Sequence, residues 1–382
     1  MTKSGDPTRC DVVVIGGGLQ GLSSAYHLAK RGLSVTLLEA EYCGRHASGV
    51  NAGGVRSLGR HVAEIPISLM ALDDYWHRMP DVVGHDCGFV GSGQLQLAEN
   101  EAEMQVAAER VALLNSLGFH HEEVIDAAYV RKLVPSISPH VHGGIWAKRD
   151  GYALPFQTVV AFKHSASQLG AHIQEQSPVL KVESHGADWV VHTATQEFRC
   201  GHIVNTAGAW ANGFARQLGE ETPAETNGLM LMVTQRVAPF VRPTLGALGR
   251  PLSFKQFDNG TVVIGGSLMC EADEVARCAD ANAAALYKSA QTVTDLFPHL
   301  THVAINRVWA GVEAFMPDSI PVISPSSTVQ GVTHAFGFSA HGFQLSPAIG
   351  RLVSELVCDG RASLDLRAFS ITRFQESGDH SS

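Results

Sequence analysis

The sequence predicts an α/β protein in which a Rossmann-type dinucleotide-binding domain is interleaved with an α+β domain built on an antiparallel sheet. Three observations carry that expectation. A strand, a glycine cluster, a helix, a second strand and an acid follow in order within the first forty residues. A β-rich block with a hairpin turn occupies residues 229–266. Glycine is in excess, 38 of 382 residues, and follows no collagen-like period, so it belongs at tight turns and close backbone approaches.

Asp11–Ile15 is a β-branched run suited to a buried parallel strand. It leads into Gly16-Gly-Gly-Leu-Gln-Gly21, where Gly16, Gly18 and Gly21 satisfy G-x-G-x-x-G. Leu22–Arg31 has helical spacing and closes at Gly32, and Leu33–Leu38 makes a second strand ending at Glu39. Gly16 permits the turn, Gly18 the approach of a pyrophosphate, and Gly21 close packing of helix on sheet. The helix N-terminus, with Leu19 and Gln20, offers free N–H groups and partial positive charge to phosphates. Glu39 can accept from both ribose hydroxyls and opposes a 2′-phosphate, which leaves FAD or NAD.

Further along, Phe89–Ala98 alternates as a strand, Glu101–Leu117 is an amphipathic helix ended by Gly118, and Ile145–Leu154 reads as strand. Phe156–Leu169 is a helix ended by Gly170, followed by strands near Ile173, Val179–Val182 and Trp189–His192. Leu229–Val237, Leu252–Phe257 and Thr261–Gly266 form the β-rich block, with Asp258-Asn-Gly260 as its hairpin turn. Ala283–Leu296 is a covering helix, and the polar tail Gln375–Ser382 is expected to fray.

Composition excludes several classes. Net charge is −9 with no basic stripe, which opposes nucleic acid as a partner. No apolar run reaches the ~18 residues that a membrane span requires. The seven cysteines are scattered without a C-x-x-C, which opposes a disulfide framework, a metal site or an iron–sulfur cluster within the chain and suits a reducing cytoplasm.

The segment Arg45-His-Ala-Ser-Gly-Val-Asn-Ala-Gly-Gly-Val-Arg56 decides between the two dinucleotides. It is a small-residue loop able to lie flat against a large ring, where an NAD-dependent domain would continue with another helix and strand. With the opening motif it resembles the D-amino-acid oxidase-like superfamily of FAD-dependent oxidoreductases. Within that superfamily it is most like the FAD-carrying β subunits of opine oxidases and proline or hydroxyproline dehydrogenases. Ile203-Val-Asn-Thr-Ala-Gly-Ala-Trp210, Val308-Trp-Ala-Gly-Val-Glu-Ala-Phe-Met-Pro-Asp318 and Gly337-Phe-Ser-Ala-His-Gly-Phe-Gln-Leu-Ser346 extend the likeness to about Val357.

The resemblance implies a set of FAD contacts. Ser48 would bond a phosphate, with Arg45 nearby, and Asn51, Gly53 and Gly54 would pass the ring. The backbone of Val179 would meet adenine. Ala207, Gly208 and Trp210 would lie beside the cofactor, and Gly311 would reach the ring. Gly337, His341, Gly342, Phe343, Gln344 and Leu345 would form the glycine loop and helix start at its pyrimidine edge, stabilising negative charge on reduced flavin. His341 reads equally as a packed loop histidine.

Departures from the relatives carry information. Glu313-Ala-Phe-Met-Pro-Asp318 lacks the cysteine of covalent amine oxidases, so FAD should be non-covalent. Pro155 stands where heterotetrameric sarcosine oxidases attach FMN to histidine, so an FMN shared with a partner subunit would also be non-covalent. Monomeric sarcosine oxidase activates oxygen with a lysine near Thr261–Ser267; here Val262 and Val263 stand there, and Lys255 lies on the preceding strand. Glu313 replaces an arginine that pairs with substrate carboxylate in glycine and D-amino-acid oxidases. It is expected to face a cationic group, with solvent or an interface as the alternative, and Arg56, then Arg60, becomes the candidate carboxylate partner.

The expected activity is oxidation of the C–N bond of a secondary amino acid, with hydride passing to flavin N5 and Arg56, Glu313 and His341 as catalytic candidates. The resemblance implies a hetero-oligomer with an α subunit and an iron–sulfur subunit. Two alternatives stay open: a self-sufficient glycine- or sarcosine-type oxidase making peroxide, and a non-catalytic FAD-binding subunit. Residues 1–85, 145–220 and 325–370 are expected to build the FAD domain, 86–144 and 221–324 the substrate domain, and 371–382 a flexible tail.

Overall fold

The computed structural model describes residues 7–374 apart from Ser267, so the expected tail at Gln375–Ser382 lies outside the described residues. Two large sheets organise the chain, one of eight strands and one of nine. The strand Thr8–Ile15 sits inside the first, parallel to Val35–Leu38 on one side and to Glu197–Asn205 on the other. His172–Gln174 continues the parallel order beyond Val35–Leu38, and Val332–Phe336 continues it beyond Glu197–Asn205. Val12, Val13 and Val14 are all buried, as a strand covered on both faces requires.

One face of this sheet is covered by the helices Leu19–Lys30, Pro155–Gln168 and Gly342–Asp359, and its core joins Leu22, Phe162, Leu345 and Leu352. The first and last of these helices approach closely at Gly350. A Cβ there would come 2.6 Å from the Ser23 carbonyl oxygen, so only glycine fits the crossing.

The second sheet is largely antiparallel. It contains Gln94–Ala98, Glu123–Asp126, Gly143–Ala147, Glu225–Thr234, Ser253–Gln256, Val262–Gly265 and the long strand Ile305–Phe315. Thr244–Ala247 joins it parallel to Gln94–Ala98. Alternation sends Leu95, Leu97, Leu245 and Phe254 into a core beneath the helix Ala283–Leu296. Gln94, Gln96 and Thr244 point the other way, toward the first sheet.

Several boundaries differ from the sequence expectation, each for a physical reason. The first helix begins at Leu19, three residues early, because Ser48 supplies the acceptor for the Leu19 N–H at 2.8 Å. Ile145–Leu154 is two strands, Gly143–Ala147 and Gly151–Tyr152. Asp150 turns inward between them and accepts from Ser57 N, Ser57 Oγ and Leu58 N. Only Gln94–Ala98 of Phe89–Ala98 is strand. The strand near Val179 starts at Lys181, which leaves Val179 in the preceding loop. The segment Gly143–Ala147 pairs in the second sheet and Val322–Pro325 in the first, antiparallel to Val332–Phe336, so the switches between sheets fall a few residues from 145 and 325. The tail expected from 371 is packed at its start: Ile371 is fully buried and Arg373 pairs with Asp318 at 2.8 Å. Among the described residues, no helix is long and apolar enough to cross a membrane.

Candidate active site

A cavity of about 700 Å3 lies between the two sheets and runs from the glycine motif to the polar face of the antiparallel sheet. Its first end is built by the opening motif. Gly16 has φ +105°, a conformation that disfavours any side chain, at the turn from strand to helix. Gly21 packs its α-carbon onto the Gly16 carbonyl and Thr206. Glu39 accepts from the N–H groups of Gly17 at 2.6 Å and Glu41 at 2.8 Å, and it lines the cavity. Burial raises its carboxyl, with backbone hydrogen bonds from Glu41 and Gly17 opposing.

The loop after the second strand is pinned from both sides. Asn51 donates to the carbonyls of Ala47 and Ser48, while its Oδ1 accepts from Gly53 N at 2.7 Å. The segment expected as plain loop contains a turn of helix, Ala47–Val50, and a two-residue strand, Gly54–Val55. Trp309 donates to the Val50 carbonyl at 2.7 Å, and Gly311 packs directly against the Val50 side chain. The strand Ile305–Phe315 is thereby fixed along the loop.

The loop Gly337–Gly342 closes the middle of the cavity. Ser339 and Ala340 both have positive φ, +47° and +67°, in succession. Each such residue stores about 1–3 kcal/mol of strain. The strand Ile305–Phe315 and Met316 just beyond it hold the loop: Ser339 N donates to the Ala314 carbonyl, Met316 N to Ser339 Oγ, and Ala340 N to Glu313 Oε1 at 2.7 Å. Gln20 reaches across from the first helix and donates to the Gly342 carbonyl at 2.9 Å.

The second end carries the charged groups. Arg56, Arg60, Glu313 and His341 all line the cavity. Burial pushes the Glu313 carboxyl up to about 7, against the single hydrogen bond from Ala340. His341 Nδ1 lies 3.0 Å from a carboxylate oxygen of Glu64, which is completely buried. Burial, with the neighbouring Arg60 charge, pushes His341 down to about 4, against the attraction of Glu64. Burial alone would raise Glu64, but the hydrogen bond from His341 and the charges of His341 and Arg60 bring it below its usual range. At neutral pH the ring is therefore neutral, donates from Nδ1 to Glu64, and leaves Nε2 as an acceptor. Burial brings Arg60 down to about 9, so it stays cationic.

The structure brings nearly all expected contacts to one cavity: Gly16, Gly18, Gln20, Glu39, Arg45, Ser48, Asn51, Gly53, Gly54, Val179, Ala207, Gly208, Trp210, Gly311, Gly337, Gly342, Phe343 and Gln344 line it with the four charged groups. Three expected residues do not face it. Leu19 is buried with its N–H taken by Ser48, Gly21 is a packing contact, and Leu345 lies in the core beneath its helix. Sequence reasoning missed Glu64, Gln94, Gln96, Thr244 and Arg277. The Gln-x-Gln alternation of Gln94–Ala98 carried a signal, polar residues on one face of a strand; Glu64 carried none.

The residues at the first end fit a dinucleotide: a glycine turn with no room for a Cβ, a helix N-terminus whose cap residue, Gly18, has no side chain, and an acid facing the cavity. The chain belongs to the FAD dependent oxidoreductase family, whose pattern matches residues 11–356. It is an FAD-dependent oxidoreductase of the kind that acts on amino-acid and amine C–N bonds. Among individual relatives, it is 25% identical to an opine oxidase subunit of Rhizobium meliloti, over 95% of this chain and 97% of that one. It is 26% identical to hydrogen cyanide synthase subunit HcnC of Pseudomonas protegens, over 95% and 96%. The solved structure of L-proline dehydrogenase from P. horikoshii superposes with a TM-score of 0.90 at 26% identity, covering 97% and 99% of the two chains.

Proposed function

We propose that the chain oxidises the C–N bond of a secondary amino acid, of the opine or proline type, as the FAD subunit of a multi-subunit dehydrogenase. The observation that carries this reading is the convergence of Arg56, Arg60, Glu313 and His341 on the same cavity as the glycine motif. Two relatives named as subunits, of opine oxidase and of hydrogen cyanide synthase, support the assembly. When bound, non-covalent FAD supplies the hydride acceptor. The arginines hold carboxylate, and the free oxygen of Glu313 holds the amine. Neutral His341 presents Nε2 as a hydrogen-bond acceptor, while Phe338 and Phe343 keep that part of the cavity apolar. The amine must react as its free base, so turnover should rise with pH across its titration. An anaerobic screen of octopine, nopaline, proline, hydroxyproline, sarcosine and glycine tests the reading. Flavin bleaching by a secondary amino acid supports it; an unbleached flavin with every amine favours a non-catalytic FAD subunit.

One observation favours the self-sufficient oxidase. Lys255 stands directly across the strand pair from Val263, is 2% exposed, and its Nζ has no hydrogen-bond partner. A Cβ on Gly53 would lie 3.1 Å from that nitrogen, so the ammonium sits behind the Asn51–Gly54 loop. Burial pushes this amine down to about 7, and its protonated form there stabilises negative charge developing on dioxygen. Stoichiometric peroxide from the isolated chain, lost about tenfold or more in Lys255→Met, would establish that alternative; peroxide unaffected by the substitution would remove Lys255 from it.

A further inference from the structure

We infer that the substrate is a dicarboxylate, with one carboxylate on each side of the reacting amine and one guanidinium for each. The inference rests on the C–N oxidation reading above. Arg56 and Arg60 donate only to backbone: Arg56 Nη1 to the Leu58 carbonyl and Arg60 Nε to the Arg56 carbonyl. Arg60 Nη1 is buried with no partner. The carboxylates whose charge reaches these guanidiniums are already engaged. Asp150 takes Ser57 and Leu58, Glu64 takes His341, and Glu122 takes Arg110 and the Gly59 N–H. Elsewhere on the wall the cations are covered, Arg45 by Glu41, Lys181 by Glu183, Arg250 by Glu99 and Asp295, and Arg277 by the Trp210 ring.

Neither guanidinium has a hydrogen-bonded carboxylate, and a substrate with one carboxylate would leave one of the two in that state. The polar floor supplies the rest of a second subsite. Gln94 and Thr244 are neighbours across a strand pair, and Gln94 Oε1 and Thr244 Oγ1 are both buried without partners. A Cβ on Gly59 would lie 3.3 Å from Arg56 Nη1 and 3.6 Å from Gln96 Oε1, which puts Arg56 beside this floor. That leaves Arg60, whose charge acts on His341 more strongly than that of Arg56, for the other end of the substrate. Arg60 therefore takes the carboxylate next to the carbon that is oxidised. Arg56, with Thr244 and the rotatable amides of Gln94 and Gln96, takes the second arm. The substrate class is an N-(carboxyalkyl) amino acid.

The test uses FAD-loaded protein and two unreactive ether isosteres, diglycolate with two carboxylates and methoxyacetate with one, titrated by the change in flavin absorbance. Diglycolate should bind about tenfold or more tightly. Arg56→Met should bring that ratio close to one while methoxyacetate binding holds, and Arg60→Met should weaken both. Gln94→Leu, a milder change, should lower the ratio in the same direction. Equal binding of the two ligands, no binding of either, or a ratio untouched by Arg56→Met and Gln94→Leu overturns the second subsite. Bleaching by sarcosine or proline alongside a ratio near one leaves the C–N oxidation reading intact. Tight diglycolate with no bleaching by any amine does the reverse.

Discussion

Glu64 orients His341, one of the catalytic groups of the proposed reaction, from outside the cavity. The carboxylate fixes which ring nitrogen carries the proton, and so which nitrogen faces the cavity. Glu64→Ala should lower kcat about tenfold while the flavin stays bound, and Glu64→Gln, which can still accept from Nδ1, should recover most of it. Steady-state kinetics of the two variants checks this; equal losses would make the contact a packing one. Glu313 gives a prediction of opposite character. Its folded-state value, about 7, exceeds the usual carboxylate value of 4.5. The folded protein therefore holds a proton that the unfolded chain releases between those pH values, and stability falls as pH rises through that window. Glu313→Gln removes that loss. It should be more stable than the parent at pH 8, by roughly 1–3 kcal/mol for this largely buried side chain, and equal to it at pH 4. Thermal melts at the two pH values read the difference.

The same two residues measure what the sequence disclosed. Glu313 was legible because it departs from a position with a known partner inside a recognisable strand. Glu64 was not, because its contact with His341 joins residues 277 apart and no local pattern encodes it. The glycine motif and Glu39 were legible because their chemistry is local: strand, turn, helix and acid are neighbours in the chain.

Between elements, the crossing of the helices Leu19–Lys30 and Gly342–Asp359 ties the two ends of the cavity together. Both helices begin at its wall, and at Gly350 they pack so tightly that a Cβ would strike Ser23. Gly350→Ala must push the helices apart, at about 1–3 kcal/mol. The displaced N-termini should also hold FAD less tightly. A lower melting temperature together with faster FAD loss on dilution is the expected outcome, and an unchanged flavin content would confine the effect to packing. Element existence was well read from periodicity, as Ala283–Leu296 shows. The breaks were not: the turn at Asp150 depends on a buried carboxylate meeting Ser57 and Leu58 from elsewhere in the chain.

Across the whole molecule, each sheet is assembled from segments separated by the other. The central strand Thr8–Ile15 takes its neighbour from Glu197–Asn205, and the next from Val332–Phe336. Separate expression of 1–220 and 221–382 should therefore yield no folded half. Cooperative unfolding of either fragment by circular dichroism would contradict this.

That interleaving also has a consequence in time. Thr206 donates to the Ile15 carbonyl across 191 residues of chain. At about 5–20 residues per second, a ribosome needs roughly 10–40 s between making the first strand and its neighbour. Throughout that interval Val12, Val13 and Val14, fully buried in the finished protein, lack one flank. The nascent chain thus carries an unpaired apolar strand edge throughout, and nucleotide capture must wait until nearly the whole polypeptide, through Gln344, has left the tunnel.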